Sequence, residues 1–280
     1  MNRLKTLALS LINLFLKKLF VEKIYKKLYL DHHNIYVHIS AKNYSFLYRS
    51  VDYDDLNMMC RENLKFWESS SREIFSELAK SSNSIIDVGS YTGIYALIAA
   101  KSNKKATVIA FEPNPNLFDA LSKNIKLNNL TKIKLENLAL DNVVGVDYLY
   151  VNHESYTSVA SLIQSANTSA KFQIKKTTLD NYCQENKISY VDLIKIDVEG
   201  VEKRVLEGAG QVLHKYSPII IMESLTLNDL KHQKNVLKNL NYLEPIQIKG
   251  DGYDSNNWLW FTKKDKNKIN NIISYKKFLK

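Results

Sequence analysis

Short apolar runs that stop at acids or glycines alternate along this chain with segments whose apolar residues recur every three or four positions. That is the pattern of strands buried on both faces and joined through amphipathic helices. Ser84–Val88 predicts a first strand, Gly89–Gly93 a loop, and Ile94 to about Ser102 a helix. Thr107–Phe111 predicts a second strand and Pro115–Asn128 a helix, its proline suited to a first turn. Ile133–Leu138 and Val146–Val151 read as further strands, Ile174–Thr177 as extended and Leu179–Glu185 as a short helix. Asp192–Ile196 predicts a fourth core strand, followed by a helix over Val201–Glu207 that Gly208 stops. Ser217–Met222 is a continuous apolar run suited to a central strand, and Asp229–Leu240 a helix. Tyr242–Ile248 and Trp258–Thr262 close the sheet around a Gly250–Asn257 turn. Glu154–Lys171, polar and rich in Ser and Thr, predicts a long surface loop of the kind that often carries function.

Upstream, Leu4, Leu7, Leu11 and Leu14 share one helical face, and lysines then interleave with apolar residues as far as Leu28. The apolar run is shorter than the roughly 20 residues a spanning helix needs. Lys17 and Lys18 follow it where a signal peptide would have small residues. An amphipathic helix lying on a membrane, or docked on the domain or another subunit, is expected. Ile35–Ile39 and Tyr44–Tyr48 read as extended, and Leu64–Lys80 as a helix with Phe66, Trp67, Ile74, Phe75 and Leu78 on its apolar side. The organisation read from this is a basic amphipathic segment (1–30), an N-terminal cap (31–80), an α/β domain (81–262) and a Lys-rich tail (263–280).

The net charge of +10 suggests a nucleic-acid binder until its distribution is seen. Residues 1–30 carry seven basic residues and one acid, residues 263–280 seven lysines and one acid, so each end is +6 and the remainder is −2. No nucleic-acid partner is therefore expected. Basic ends beside apolar residues fit an anionic membrane surface, and solubilising tails would look the same. Cys60 and Cys183 make neither a disulfide framework nor a metal spacing, and both read as reduced thiols of a cytoplasmic protein, with peripheral attachment at the inner face of a membrane as an open addition.

Two stretches carry candidate chemistry. The first is Asp87, Gly89, Ser90, Tyr91 and Gly93 with Glu112 at the end of the next strand. Its glycines lie four apart, without the G-x-G-x-x-G of a dinucleotide loop, and an acid precedes it. A negative group there suits a cationic ligand, and we read the ligand as S-adenosylmethionine. Glu112 is placed to accept hydrogen bonds from ribose hydroxyls, the turn of Asn114 and Pro115 fixes how it is presented, and Pro113 and Asn114 are counted with it in the cofactor site. Asn137–Asp141 follows the third strand, where Ala139 and Leu140 could flank an adenine. The second stretch is Asp192–Gly200, with Lys195 inside an apolar strand, Asp197 at its end and Glu199 two residues on. Asp197 or Glu199 would orient or deprotonate an acceptor hydroxyl; His153 is an alternative base. A divalent metal on Asp197 and Glu199 lacks a third ligand, and no metal residue is assigned.

Together, DVGSYTGIYALIAA, VIAFEPNP, TLDNYC with DLIKIDVEGVEKRVLEGA, and the closing NWLWF resemble the FkbM-type methyltransferase family over about Ser84–Ser224 and Asn257–Phe261. The resemblance implies a Rossmann-like class I methyltransferase fold. Its seven-stranded, mostly parallel sheet has helices on both faces and an antiparallel last strand pair, here with an N-terminal helical extension. It also implies S-adenosylmethionine as donor and O-methylation of a sugar, a lipid-linked or surface glycan, or a natural product. It places the donor loop at Asp87, Gly89 and Gly93, the ribose acid at Glu112, and an acid–turn element at Asp197, Glu199 and Gly200. Ser90-Tyr91 departs from the small residues and Asn usual there. A nicotinamide-dependent oxidoreductase would use the same crevice but lacks its third glycine. An amino-methylating nucleic-acid enzyme would carry an Asp/Asn-Pro-Pro-aromatic pattern where this chain has IDVEG. A binding module that holds the cofactor without turnover is the third alternative.

Overall fold

The computed structural model describes residues 36–50, 68–151, 160–161, 170–250 and 256–274. The amphipathic reading of 1–30, Cys60, His153 and most of the Glu154–Lys171 loop lie outside these residues. The chain runs β1 (Tyr36–Ser40), β2 (Ser45–Arg49), α1 (Ser69–Ala79), β3 (Ser84–Val88), α2 (Ile94–Ser102), β4 (Thr107–Phe111), α3 (Pro115–Leu127) and β5 (Ile133–Glu136). It continues through β6 (Ala139–Leu140), β7 (Gly145–Val151), β8 (Ala160–Ser161), β9 (Ala170–Thr177), α4 (Leu179–Glu185), β10 (Leu193–Ile196), α5 (Glu202–Glu207) and α6 (Gly210–Tyr216). It closes with β11 (Ile219–Glu223), α7 (Leu227–Lys238), β12 (Ile246–Gln247), β13 (Asn257–Trp260) and α8 (Lys266–Ser274).

The main sheet has the order β12-β13-β11-β10-β3-β4-β5. The five strands from β11 to β5 are parallel, and β13 runs antiparallel to both of its neighbours. Side chains alternate across it. Ile85, Val108, Leu193 and Ile219 pack against α1, α2, α3 and α8, while Ile86, Ile109, Ile194 and Ile220 pack against α4 to α7. The chain builds outward from β3 to β5, then returns to β10 on the other side of β3. That reversal opens a crevice at the carboxyl ends of β3 and β10.

Several elements differ from the pattern reading. The helix expected over Val201–Glu207 is α5, with Gly208 at its C-cap as read, but a further helix that the pattern did not announce, α6, starts at Gly210. Gly208 has an ordinary φ of −84° and serves close packing, since a Cβ there would lie 2.0 Å from the Asp141 carbonyl oxygen. β5 stops at Glu136, because Ala139 and Leu140 leave the main sheet to pair with β9. A second, four-stranded sheet, β6-β9-β7-β8, results. Residues 160–161 and 170–171 of the expected loop are strand in it. Asp141, fully buried, clamps this sheet: Arg204 of α5 grips its carboxylate with two bonds, and Lys176 of β9 bonds it at 2.8 Å. In the Lys-rich end, a 3-10 turn over Lys263–Asp265 leads into α8, which buries Ile269 in the core.

The β1–β2 hairpin docks by side chains that mimic a strand. Asn124 of α3 accepts from the Arg49 N–H at 2.7 Å and donates to its carbonyl at 3.2 Å. Asn128 at the end of α3 does the same for Leu47, at 2.9 and 2.6 Å. The edge of β2 thus has its backbone groups satisfied without another strand.

Candidate active site

Four neighbouring parallel strands each present an acid at or near the carboxyl end: Glu112 after β4, Asp87 in β3, Asp197 after β10 and Glu223 in β11. The loop after β3 holds them together. Gly89 (φ 78°), Tyr91 (φ 50°) and Gly93 (φ 99°) all sit in the left-handed region. A Cβ on Gly89 would stand 1.8 Å from the Asp197 carbonyl oxygen, so only glycine lets the two loops meet. The Gly89 and Ser90 amides donate to the Phe111 carbonyl, and the Asp197 amide donates to Val88 at 3.0 Å. Thr92, inside the loop, bonds the Tyr48 hydroxyl of the hairpin and offers its carbonyl to Asn124 at 3.0 Å.

Glu112 is buried and accepts two backbone N–H groups of its own surroundings, from Tyr91 on Oε2 and Asn114 on Oε1, each at 2.8 Å. Burial pushes its carboxyl up to about 8; those two N–H groups oppose the shift and the Asp87 charge adds to it. Asn137 donates to the Glu112 and Pro113 carbonyls at 2.8 and 3.0 Å and so pins the turn that presents the acid. Asn114 caps α3 through its side chain. Asp87 is 2 % exposed, and its Oδ2 has no hydrogen-bond partner among the described residues. Burial pushes it up to about 7, against the pull of Ser90 and Lys195.

The second loop inverts that state. Lys195 is buried in β10, yet burial, which disfavours its charge, is outweighed by Asp197 and Glu68, and its affinity for the proton is raised. Its Nζ donates to Asp197 Oδ2 and Asn257 Oδ1, both at 3.0 Å, and stands 5.1 Å over the Tyr95 ring. Glu199 (φ 54°) and Gly200 (φ 97°) form a left-handed pair that turns the chain sharply after Asp197. Glu199 is exposed to solvent, but partial burial, then Asp197 and Glu202, raise it to about 7. Glu202 is buried and braces the turn by accepting from Val198 and Gly200. Glu223 is raised to about 8 by burial and by Asp197.

The structure thus brings Asp87, Gly89, Ser90, Tyr91, Gly93, Glu112, Pro113 and Asn114 to one side of the crevice and Lys195, Asp197 and Glu199 to the other. Ala139 packs its side chain with Leu149 and Ile174 in a small core under the second sheet. Among the described residues no group of three or more His, Cys, Asp or Glu side chains could hold a metal ion. Cys183 is core, its thiol pushed up to about 11 by burial. Pattern reading missed Glu68, Tyr95, Glu202 and Glu223, and for Asn137, which it placed in a segment beside the adenine, it missed the bonds to the Glu112 and Pro113 carbonyls. Glu68 lacks a motif of its own, and the others sit in stretches whose periodicity reads as ordinary helix or strand.

A buried carboxylate oxygen without a donor among the described residues, a glycine cradle beside it and a carboxylate at the tip of the next strand fit the cationic amino group, the sulfonium and the ribose of S-adenosylmethionine. This sheet and crevice define the class I methyltransferase fold. A sequence model of the FkbM methyltransferase domain matches residues 87–244, and the chain belongs to that family. It is similar to the hexuronic acid methyltransferase AglP of Haloferax volcanii, 30% identical over 145 residues, 52% of this chain and 57% of that protein. It is also similar to the 2-O-methyltransferase NoeI of Sinorhizobium fredii, 27% identical over 158 residues, 51% of this chain and 64% of that one. The chain thus spans about three fifths of the length of these relatives. Among solved structures, it is similar to an FkbM methyltransferase from Methylobacillus flagellatus, with a TM-score of 0.48, 16% identity, and coverage of 64% of this chain and 43% of that one.

Proposed function

We propose that this protein transfers the methyl group of S-adenosylmethionine to a hydroxyl of a sugar or glycan. The observation that carries the donor is the pair of buried carboxylates on adjacent strand ends, Asp87 with an unpartnered oxygen and Glu112 at the tip. Asp87 and the Gly89–Gly93 backbone would hold the amino-acid end, and Glu112 the ribose. Bound there, the donor supplies an electrophilic methyl carbon whose leaving group is a neutral thioether.

The protein's own work is then alignment and one proton. The donor would supply the methyl carbon for the new C–O bond and keep the S–C bonding electrons on sulfur, while Glu199 would take the hydroxyl proton. A carboxylate raised to about 7 is matched to that task near neutral pH. Asp197, fixed by Lys195, orients the hydroxyl. Carboxylates along the crevice mouth accept hydrogen bonds from hydroxyl-rich acceptors. The names of AglP and NoeI, a hexuronic acid enzyme and a 2-O-methyltransferase, support a sugar hydroxyl as the target.

Calorimetry with S-adenosylhomocysteine tests the donor. Transfer of labelled methyl from S-adenosylmethionine to a panel of methyl glycosides and uronic acids tests the acceptor. Saturable donor binding with incorporation into at least one sugar is expected; absence of donor binding ends the reading. Peripheral contact with an anionic membrane is a second part of the proposal, supported by Lys263, Lys264 and Lys266, all exposed around α8. Flotation on phosphatidylserine vesicles with and without residues 1–30 tests it, and equal partitioning in both without enrichment on the vesicles rejects it. Among the described residues no helix is long and apolar enough to cross a membrane.

A further inference from the structure

Two residues outside the matched family segment, Glu68 before it and Asn257 after it, meet beneath the crevice. Glu68 occupies the N-cap position of α1, but its side chain makes no capping bond there. It adopts φ 45°, ψ 39°, a left-handed conformation that costs a non-glycine residue on the order of 1 kcal/mol or more. The strained backbone turns the carboxylate inward, where it is 4 % exposed. Oε2 accepts from the Tyr95 hydroxyl at 2.6 Å and Oε1 from Asn257 Nδ2 at 2.8 Å. With its amide nitrogen committed to Glu68, Asn257 must turn Oδ1 to Lys195, which it accepts from at 3.0 Å. Lys195 then donates to Asp197 at 3.0 Å and rests over the Tyr95 ring. Lys195 donates in both directions: on one side to Asn257, which donates in turn to Glu68, and on the other to Asp197.

We infer that Glu68 and Asn257 are positioning residues for methyl transfer: they hold Lys195 as an ammonium in one orientation, and Lys195 holds the Asp197 carboxylate at the crevice mouth. The inference rests on the proposed donor and acceptor chemistry and adds to it two residues that touch neither ligand. A buried lysine keeps its proton only where charges and acceptors surround it. The groups facing Lys195 are Asp197 at the end of its own strand, Glu199 two residues on, Glu68 and Tyr95 from the helices above, Asp87 from β3 and Glu223 from β11. Glu68 is the one among them that also reaches Lys195 through a fixed amide. Its own carboxyl is raised by burial, with Lys195 opposing that shift, so the two ions support each other.

The test uses the full chain with 13C- and 15N-labelled lysine, the Lys195 ammonium signal being assigned by its loss in Lys195→Gln. Glu68→Gln keeps the shape and removes the charge; Asn257→Ser removes the relay with little steric change. Expected for both are a retained fold and S-adenosylhomocysteine affinity within about threefold of the parent. The Lys195 ammonium should titrate about one pH unit lower in Glu68→Gln. Its Nζ protons should exchange faster in both variants. In methyl transfer to whichever glycoside the parent accepts, kcat falls about tenfold or more with little change in KM, and the pH-rate profile moves. Glu68→Asp recovers part of both effects. Unmoved ammonium titration and exchange in folded Glu68→Gln and Asn257→Ser overturn the inference. So does equal loss of folding in Glu68→Gln, Glu68→Asp and Asn257→Ser, which marks the network as structural. If the parent itself binds no S-adenosylhomocysteine, the donor reading fails first and the positioning role with it, whatever Lys195 does.

Discussion

The two loops at the centre of the crevice are built alike and charged differently. Each follows a buried parallel strand, each turns through left-handed residues, and each carries an acid at its strand end. On β3 the acid, Asp87, is enclosed with a carboxylate oxygen that no described residue bonds. On β10 the acid, Asp197, has its own lysine at 3.0 Å. Lys195 and Asp87 are even register partners across the two strands, yet the ammonium is directed to Asp197. A site that awaits a cation keeps its carboxylate unpaired; a site that steers a neutral hydroxyl keeps its carboxylate held. Under the proposed function, the first loop binds the donor and the second serves the acceptor.

Removing the lysine breaks this comparison most severely. Lys195→Met leaves Glu68 and Asp197 uncompensated, and a loss of about 3–5 kcal/mol in urea unfolding is expected. A loss under about 1 kcal/mol would show that Asp197 needs no holder. Gly89→Ala comes next. It forces a Cβ onto the Asp197 carbonyl at φ 78°, so the two loops separate at a cost above about 2 kcal/mol, read by thermal unfolding. On the donor side, Glu112→Gln keeps the backbone N–H acceptor on one atom but removes the charge. Affinity for S-adenosylmethionine should fall about tenfold to a hundredfold by calorimetry, the range for losing a hydrogen bond to a charged group.

The pH dependence sharpens the contrast further. Asp87 and Glu112 are raised to about 7 and about 8, chiefly by burial. The ligand-free fold therefore has a stability contribution in acid that declines as pH rises from the ordinary carboxylate range through those values. Donor binding runs the other way, because the cation prefers the ionised carboxylates. Affinity for S-adenosylmethionine should rise up to about tenfold per pH unit between pH 6 and 7 and level off above about 8, with proton release visible in buffers of different ionisation enthalpy. Tyr48→Phe has the smallest expected effect. It removes the bond to Thr92 and should cost about 1 kcal/mol, with a matching slight loosening of donor binding.

Much was legible from pattern alone. The strands β3, β4, β10 and β11 and the helices α2, α3 and α4 fall within a residue or two of their predicted bounds, because runs such as Ile219–Met222 can be buried on both faces only inside a parallel sheet. Gly89 and Gly93 announced the loop and Glu112 the strand tip. The β6-β9-β7-β8 sheet was not legible. Ala139–Leu140 is too short to carry a period, and its pairing with β9 spans a long separation, held by the Asp141 clamp. The same holds for the joint β5–β6 and for the close contact with Asp141 that Gly208 makes besides ending α5.

What the linear pattern decided by itself is the order of strands and helices, the donor loop and the acids at the strand ends. Each of these follows from residues close together in the chain. Tertiary structure alone decided which acid stays unpaired and which gains a lysine, since Asn257 and Glu68 stand 189 positions apart and meet only when β13 inserts beside β11. Local periodicity reports which face of an element is buried. Lys195 and Asp197 lie two residues apart, but the groups that hold the ammonium in place come from distant segments, and no short window of sequence contains Glu68, Lys195 and Asn257 together.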